Sequence, residues 1–149
     1  MDSAANEMNL GALLPSIGFV LVMLRLAAGL LILAGPLTML AFGLLYTYKP
    51  PKEANYSLGY RCWWGMASLE SWTYTQKVAG KIFMYLGAGL SALMLIMCIV
   101  LLFLDMMAVM IAATVCLGLE LLLLCAACVA INVLVIRKFD KDGYLRENA

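Results

Sequence analysis

The sequence predicts an all-α membrane protein with three transmembrane helices and a cytoplasmic loop plus amphipathic helix between the first and the second. Of the 149 residues, 65% are hydrophobic and only 13% are charged, and the mean hydropathy is +0.97. Soluble domains are nearer half apolar and a quarter charged. Three apolar runs reach about 20 residues or more, the length that crosses a bilayer core. One long polar interval, from Pro50 to Lys81, separates the first run from the second.

Composition also excludes several classes of function. The net charge of +1 argues against nucleic-acid binding, which requires a concentrated basic surface. The absence of histidine removes histidine catalysis and histidine metal sites. The sequence contains no recognisable nucleophile–base pair, phosphate-binding glycine-rich loop or metal-ligand cluster. We therefore expect no enzymatic activity, no metal and no cofactor.

The first predicted span covers residues 26–48. Residues 1–25 precede it as a polar N-terminus and an interfacial or leading helix, because the apolar part of this segment is short and ends at Arg25. A Gly-Pro pair at 35–36 predicts a kink within the span. Thr38 follows closely enough to cover a backbone carbonyl that the proline leaves free.

The polar interval, residues 49–81, predicts a turn-rich loop that leads into a helix. Its first half is rich in proline, asparagine and glycine, which favour turns. Ser68 is a candidate N-cap, with Glu70 in the first helical turn to complement the helix dipole. Apolar residues then recur at helical spacing, so we expect one amphipathic helix that runs directly into the second span.

The second predicted span covers residues 82–104 and the third covers 107–136, followed by a charged tail at 137–149. The third run is longer than a bilayer needs, which indicates tilt or protrusion. On the second span, the small residues Gly87 and Ser91 predict a close approach of a neighbouring helix.

Lysine and arginine determine the predicted orientation, because they are enriched on the cytoplasmic side of membranes. Five of them lie between Lys49 and Lys81 and four lie in the tail, whereas the opposite side has only Arg25. Three spans place both basic segments in the cytoplasm and the N-terminus outside. We expect an integral protein of a bacterial-type inner or plasma membrane.

Glu120 is the most unusual single residue, because an ionisable group near the centre of a span is costly and often functional. Counting inward from the helix ends places Thr38, Ser91 and Glu120 at a similar depth, so an intramembrane polar cluster is one hypothesis. The alternative is that a neutral Glu120 hydrogen-bonds a neighbouring helix.

The CxxC spacing of Cys125 and Cys128 has a structural interpretation as well as a reactive one. A reactive thiolate needs a polar, accessible environment. The flanking residues here are apolar, and cysteine in such surroundings packs as a small hydrophobe. We therefore expect a packing role for both.

The three tryptophans, Trp63, Trp64 and Trp72, all lie in the polar interval. Anchoring at headgroup depth explains them, as in the aromatic belts of membrane proteins. The alternative is a platform that closes the bundle or meets a partner. Arg61 lies among these aromatic residues and has two further options, stacking on tryptophan or binding a lipid phosphate.

An ordered set of motifs runs through the polar interval: Pro-Pro-Lys at a helix end, an asparagine, a Gly-Tyr-Arg turn, a Ser/Glu-x-Trp helix start and a closing Gly-Lys. The matching residues are Pro50, Pro51, Lys52, Asn55, Gly59, Tyr60, Arg61, Trp64, Met66, Ser68, Glu70, Trp72, Gly80 and Lys81. This pattern resembles the SdpI family of small bacterial membrane proteins, over residues 37–104. The sequence departs from the family pattern at Cys62, where the family favours threonine, at Gln76, where some members have histidine, and at residues 63–65, where Trp-Trp-Gly replaces a Pro-Trp-Thr or Pro/Lys-Arg-Ser step.

The resemblance implies a binding function, namely protection against a secreted antimicrobial peptide and sequestration of a cytoplasmic regulator at the membrane. The implied partners are membrane lipids, a peptide toxin and a regulatory protein. We expect Arg61, Trp64, Glu70 and Trp72 to form the organising group, with Glu70 or a helix N-terminus holding Arg61.

Two other classes of function stay open. One is an accessory subunit of a larger membrane complex, which the small-residue helix faces and short extramembrane parts also fit. The other is a transporter or channel that uses Glu120. Three helices rarely enclose a pathway, so this second class requires self-association.

Overall fold

Three long helices form the molecule, as the sequence predicts. The computed structural model describes residues 10–52 and 58–146, with side chains described from residue 16 onward. Apart from a short 3-10 turn, the described elements are α1 Leu10–Tyr48, α2 Leu69–Leu101 and α3 Met106–Lys138. Each contains a stretch of 33 residues that is long and apolar enough to cross a membrane. The predicted class, an all-α membrane protein with three spans, is confirmed.

The helix α1 begins well before the predicted start of the first span. It is continuous from Leu10 to Tyr48, so among the described residues the segment 10–25 leads into the first span without a break. Residues 1–9 lie outside them. Arg25 interrupts the run of apolar side chains, but arginine has a high helix propensity and does not interrupt the backbone. The Gly-Pro pair at 35–36 does not end the helix either.

The helix α2 begins where local sequence predicts. Ser68 is its N-cap, and its hydroxyl accepts a hydrogen bond from the Ser71 N–H at 3.1 Å. The same helix continues without a break through the second apolar run, as expected. It ends at Leu101, earlier than the predicted boundary at residue 104, because residues 102–105 form the turn that leads to α3. In this turn the Asp105 carboxylate caps α3 by accepting from the Ala108 N–H.

Glycines bring α1 and α2 into close contact. A Cβ atom at Gly87 would lie 2.6 Å from the backbone nitrogen of Leu40, and one at Gly80 would lie 2.8 Å from that of Thr47. Both distances are too short for a real side chain, so only glycine permits this separation of the helices. The expected close approach at Gly87 is therefore present, and Ser91 is buried one turn further on.

The C-terminal tail folds back against the bundle. After α3 the chain turns at Asp140, whose N–H donates to the carbonyl of Tyr144 at 2.9 Å. Phe139 is buried, and its ring packs 5.5 Å from the ring of Tyr74 on α2. The sequence predicted the tail only as a charged segment. In the structure it packs near the start of α2.

Candidate functional site

Several of the family-type motif residues come together at one end of the bundle. We call this region the loop cap and define it as residues 50–52, 58–68 and 139–146, which cover the first turns of α2. The cap is built by hydrogen bonds from α2 to loop backbone and by aromatic side chains that enter the bundle. Asn55, one of the predicted motif residues, lies outside the described residues.

Gln76 holds the loop through its side-chain amide. Its Oε1 accepts from the Tyr60 N–H and its Nε2 donates to the Tyr60 carbonyl, both at 2.8 Å. Gln76 is fully buried on α2, so both hydrogen bonds form away from bulk water, where an unpaired polar group is costly. The pair fixes the position of Tyr60 relative to α2.

Tyr60 in turn connects the loop to α3. Its hydroxyl donates to the Cys128 carbonyl at 3.2 Å and lies 3.4 Å from the Asn132 side-chain oxygen. Its ring packs edge-on against Phe83 of α2. Burial is the main cause that raises the pKa of the Tyr60 phenol above its ordinary value. The phenol therefore remains a neutral hydrogen-bond donor that contacts both helices.

Trp72 is part of the core of the cap. It is only 1% exposed, and its indole N–H donates to the Pro51 carbonyl at 2.9 Å. The loop folds over Trp72, and its place at headgroup depth stays a prediction. Gly59 packs against the Trp72 ring. Its φ is +122°, and a Cβ atom at this position would lie 2.7 Å from the ring. Glycine is thus required for both conformation and space.

Trp64 begins the 3-10 turn Trp64–Met66 and is partly buried, with its indole nitrogen buried and without a hydrogen-bond partner among the described residues. Beside it, the Cys62 sulfur accepts from the Gly65 N–H at 3.3 Å. Burial raises the pKa of the Cys62 thiol above its ordinary value. A thiol in this state is a weak nucleophile, so the geometry supports a structural role.

Ser68 joins the loop, α2 and the tail at a single hydroxyl. Besides capping α2, its Oγ donates to the Gly143 carbonyl at 2.9 Å. Gly143 has a φ of +81°, and a Cβ there would lie 2.7 Å from the Ser68 side chain. The tail is therefore seated on the N-cap of α2, a contact between residues that are far apart in sequence.

The pairing of Arg61 with Glu70 or with a helix N-terminus stays a prediction. Arg61 is exposed and lies near the Tyr46 phenol of α1. Glu70 is exposed on α2 and lines a small cleft of about 190 Å³ with Lys77 and Lys138. The two residues thus have different surroundings. Trp72, which attaches the loop to α2, is buried, whereas Arg61 and Glu70 are both exposed.

The last two predicted motif residues, Gly80 and Lys81, lie further along α2, outside the loop cap. Gly80 packs against α1, as described above. Lys81 is exposed and stands at the edge of an apolar groove between α2 and α3 that also contains Tyr85. It contributes a positive charge beside the membrane-spanning part of α2.

Of the three predicted intramembrane polar residues, the structure brings two to the same cavity. Thr38 and Glu120 both line a cavity of about 400 Å³ between the helices. Ser91 is buried in the bundle but does not line it. The structure thus brings Thr38 and Glu120 to one cavity, and the hypothesis of a three-residue cluster that includes Ser91 stays a prediction.

Sequence reasoning missed Gln76 and the tail as parts of the site. The signal available for Gln76 was a polar residue on the otherwise apolar side of the predicted amphipathic helix. For the tail, the signal was Asp140 followed by Gly143, a turn pattern. Neither signal identifies the residue that is contacted. The partner of Gln76 is Tyr60 and the partner of the tail is Ser68, and both are distant in sequence.

The side chains of Gln76, Trp72 and Ser68 are engaged in hydrogen bonds that hold the cap together. Within residues 10–52 and 58–146, no group of three or more His, Cys, Asp or Glu side chains is placed to hold a metal ion.

Comparison with known proteins identifies one family. The profile of the SdpI/YfhL protein family matches residues 52–136, more than half of the chain, including α2, most of α3 and the loop part of the cap. No curated protein and no solved structure matches the chain. With three apolar helices and this match, the chain is an integral membrane protein that belongs to the SdpI/YfhL family.

Proposed function

We propose that this is a non-enzymatic membrane binding protein of the immunity type, which protects the cell against a secreted antimicrobial peptide and binds a regulatory protein through the loop cap. The observation that carries the proposal is the assembly of the motif residues Pro51, Gly59, Tyr60, Ser68 and Trp72 at one end of the bundle. Gln76, Trp72 and Ser68 each hold a different part of the loop cap. Family membership supports the same class of function.

A pre-ordered surface favours binding, because a partner then does not have to order the loop. The cap exposes side chains of the kind that dominate protein interfaces. Trp63 is 81% exposed, and it lines a cleft of about 700 Å³ together with Met66, Lys141 and Tyr144. The cleft combines aromatic and flexible apolar groups with one positive and one negative side chain, Lys141 and Asp142. A partner with an exposed apolar surface fits it best.

We place the loop cap in the cytoplasm in this proposal. The basic residues of the interval and the tail all lie at this end of the three spans, and such residues favour the cytoplasmic side. A cytoplasmic regulator would then meet the cap directly. The peptide, which arrives from outside, would be met within the bilayer or at the opposite end of the bundle.

Protection can be tested by exposing sensitive cells that produce the parent or a variant to the secreted peptide. We expect Arg61→Ala and Trp72→Ala to lose protection, the first by removing a cap charge and the second by unseating the loop. Tyr85→Ala is the matched control, because Tyr85 is 72% exposed on α2 outside the cap. Immunoblots of washed membranes would check that each variant inserts.

Survival that is equal for all variants, or no protection by the parent, would refute the proposal. Purification in mild detergent adds a second test. A monomer or homo-oligomer agrees with the immunity class, whereas a stoichiometric set of other membrane subunits would replace it with the accessory-subunit class.

A further inference from the structure

The cavity between the three helices lies within the membrane-spanning part of the molecule, away from the loop cap. We call it the Glu120 cavity. Its volume is about 400 Å³, and its lining includes Gly35, Thr38 and Phe42 of α1, Phe83 of α2, and Leu117 and Glu120 of α3. Cavities of roughly 300–1,000 Å³ with a mostly apolar lining and few polar groups are typical of small-molecule sites.

With Glu120 ionised, the two polar side chains that line the cavity offer hydrogen-bond acceptors and no donor. Oε1 of Glu120 is buried and has no hydrogen-bond partner among the described residues. The Thr38 hydroxyl donates its hydrogen to the Gly35 carbonyl at 2.8 Å, so toward the cavity it has only lone pairs to offer. None of the residues that line the cavity is basic. The lining is therefore complementary to a group that carries several donors and positive charge.

Gly35 makes room for the Glu120 carboxyl group. A Cβ at this position would lie 2.6 Å from Oε2 of Glu120. The absence of a side chain on α1 thus lets the carboxyl group lie between the helices, next to the cavity. An unpaired carboxylate in an apolar span is costly, and a bound cation would offset that cost through a charge-assisted hydrogen bond.

We propose that the Glu120 cavity binds a lipid-soluble primary amine, with the ammonium group on Glu120 and Thr38 and the apolar chain along the leucine and phenylalanine side chains. An ammonium group has three donors and no acceptor, which matches the acceptor-only lining. The carboxylate of a fatty acid would meet Glu120 with like charge, and an alcohol would supply one donor and no charge. The ligand reaches the site laterally from the bilayer. This inference does not rest on the proposed immunity function.

The test uses the full chain in lipid nanodiscs and three probes of equal chain length: dodecylamine, dodecan-1-ol and dodecanoic acid. Equilibrium binding of each labelled probe is measured, and partition into empty nanodiscs is subtracted. We expect the parent to bind the amine at least about tenfold more tightly than the alcohol, the scale of one charge-assisted hydrogen bond. The acid should bind most weakly.

Three variants locate the site. Glu120→Gln should abolish the preference for the amine over the alcohol, while binding of the alcohol is retained. Leu124→Trp should fill the cavity and weaken binding of amine and alcohol alike, whereas Leu122→Trp, at a position 70% exposed and absent from the lining, should not. Equal binding of amine and alcohol by the parent, or an unchanged preference in Glu120→Gln, would overturn the inference. The loop cap and its protection assay are unaffected by either result.

Discussion

At the scale of single residues, the side chains that attach the loop to the bundle are buried polar or amphipathic groups with defined partners. Gln76 is the clearest example, because it pairs with both backbone polar groups of Tyr60. Asparagine and glutamine side chains can donate and accept hydrogen bonds at the same time. The Gln76 amide therefore supplies the hydrogen bonds that the loop backbone would otherwise form within a strand or a helix. The loop can therefore be ordered without regular secondary structure.

Replacing Gln76 by leucine tests this role. The Gln76→Leu variant keeps the apolar bulk but leaves the Tyr60 N–H and carbonyl without these partners. We expect the free energy of unfolding to fall by about 1–3 kcal/mol, the cost of unsatisfied buried polar groups. Denaturant titration in mixed micelles would measure it. Thr73→Val is the control, because the exposed Thr73 hydroxyl bonds only to Leu69 of its own helix. Equal stability of both variants would contradict the prediction.

At the scale of elements, α1 and α2 pack through glycines, and α2 carries the contacts of the cap at its N-terminal end. Lipid does not drive helices together as water does, so close van der Waals packing matters more. Gly80 lies against the backbone of Thr47. It is also the first residue of the Gly-Lys pair that closes the family-type motif. This motif residue therefore contributes to helix packing rather than to an exposed surface.

A pair of glycine substitutions on α2 separates packing from helix propensity. Gly80→Ala should lower the free energy of unfolding by about 1–3 kcal/mol, because its methyl group would force α1 and α2 apart. Gly89→Ala adds a methyl group where nothing lies within 4 Å. It should be neutral or stabilise by up to about 1 kcal/mol through helix propensity. Thermal unfolding in one detergent gives both values, and a destabilised Gly89→Ala would refute this account.

Variants of Ser68 can separate its role as the N-cap of α2 from its role in holding the tail. Ser68→Ala removes both functions and should cost about 1 kcal/mol of stability. Ser68→Asp keeps an acceptor for the Ser71 N–H but cannot donate to the Gly143 carbonyl as a carboxylate. We expect Asp to restore most of the stability while residues 139–146 become susceptible to protease. If both variants leave the tail as resistant as it is in the parent, Ser68 does not hold it.

At the scale of the whole molecule, charge distribution and span count together predict one orientation. The prediction can be tested with single cysteines in a variant from which the native cysteines have been removed. Tyr144→Cys on the tail should react with a membrane-impermeant maleimide only after cells are permeabilised. Asp105→Cys, in the turn between α2 and α3, should react in intact cells. The reverse pattern would invert the orientation, and labelling of both positions in intact cells would contradict three spans.

The sequence allowed the local features of this end of the bundle to be predicted better than its contacts. The Ser68 cap was predictable, because capping involves residues three apart. The burial of Trp72 was not, because its cover is Pro51 and Gly59, which approach only when the loop folds back. Tyr60 and Gln76 are 16 residues apart, and Tyr60 and Cys128 are 68 apart. Helical or strand periodicity relates only residues that are close in sequence, so it does not predict these contacts.

Amino-acid composition and hydropathy by themselves determined the membrane class, the three spans and the continuous helix that joins the interval to the second span, because lipid requires each span to satisfy its own backbone groups. The motif order indicated the family. Only the tertiary structure decided that the tail rests on Ser68, that Thr38 shares a cavity with Glu120 while Ser91 does not, and that Trp72 is core. The physical reason is that these contacts depend on how helices rotate and approach one another, which side-chain packing between distant segments determines.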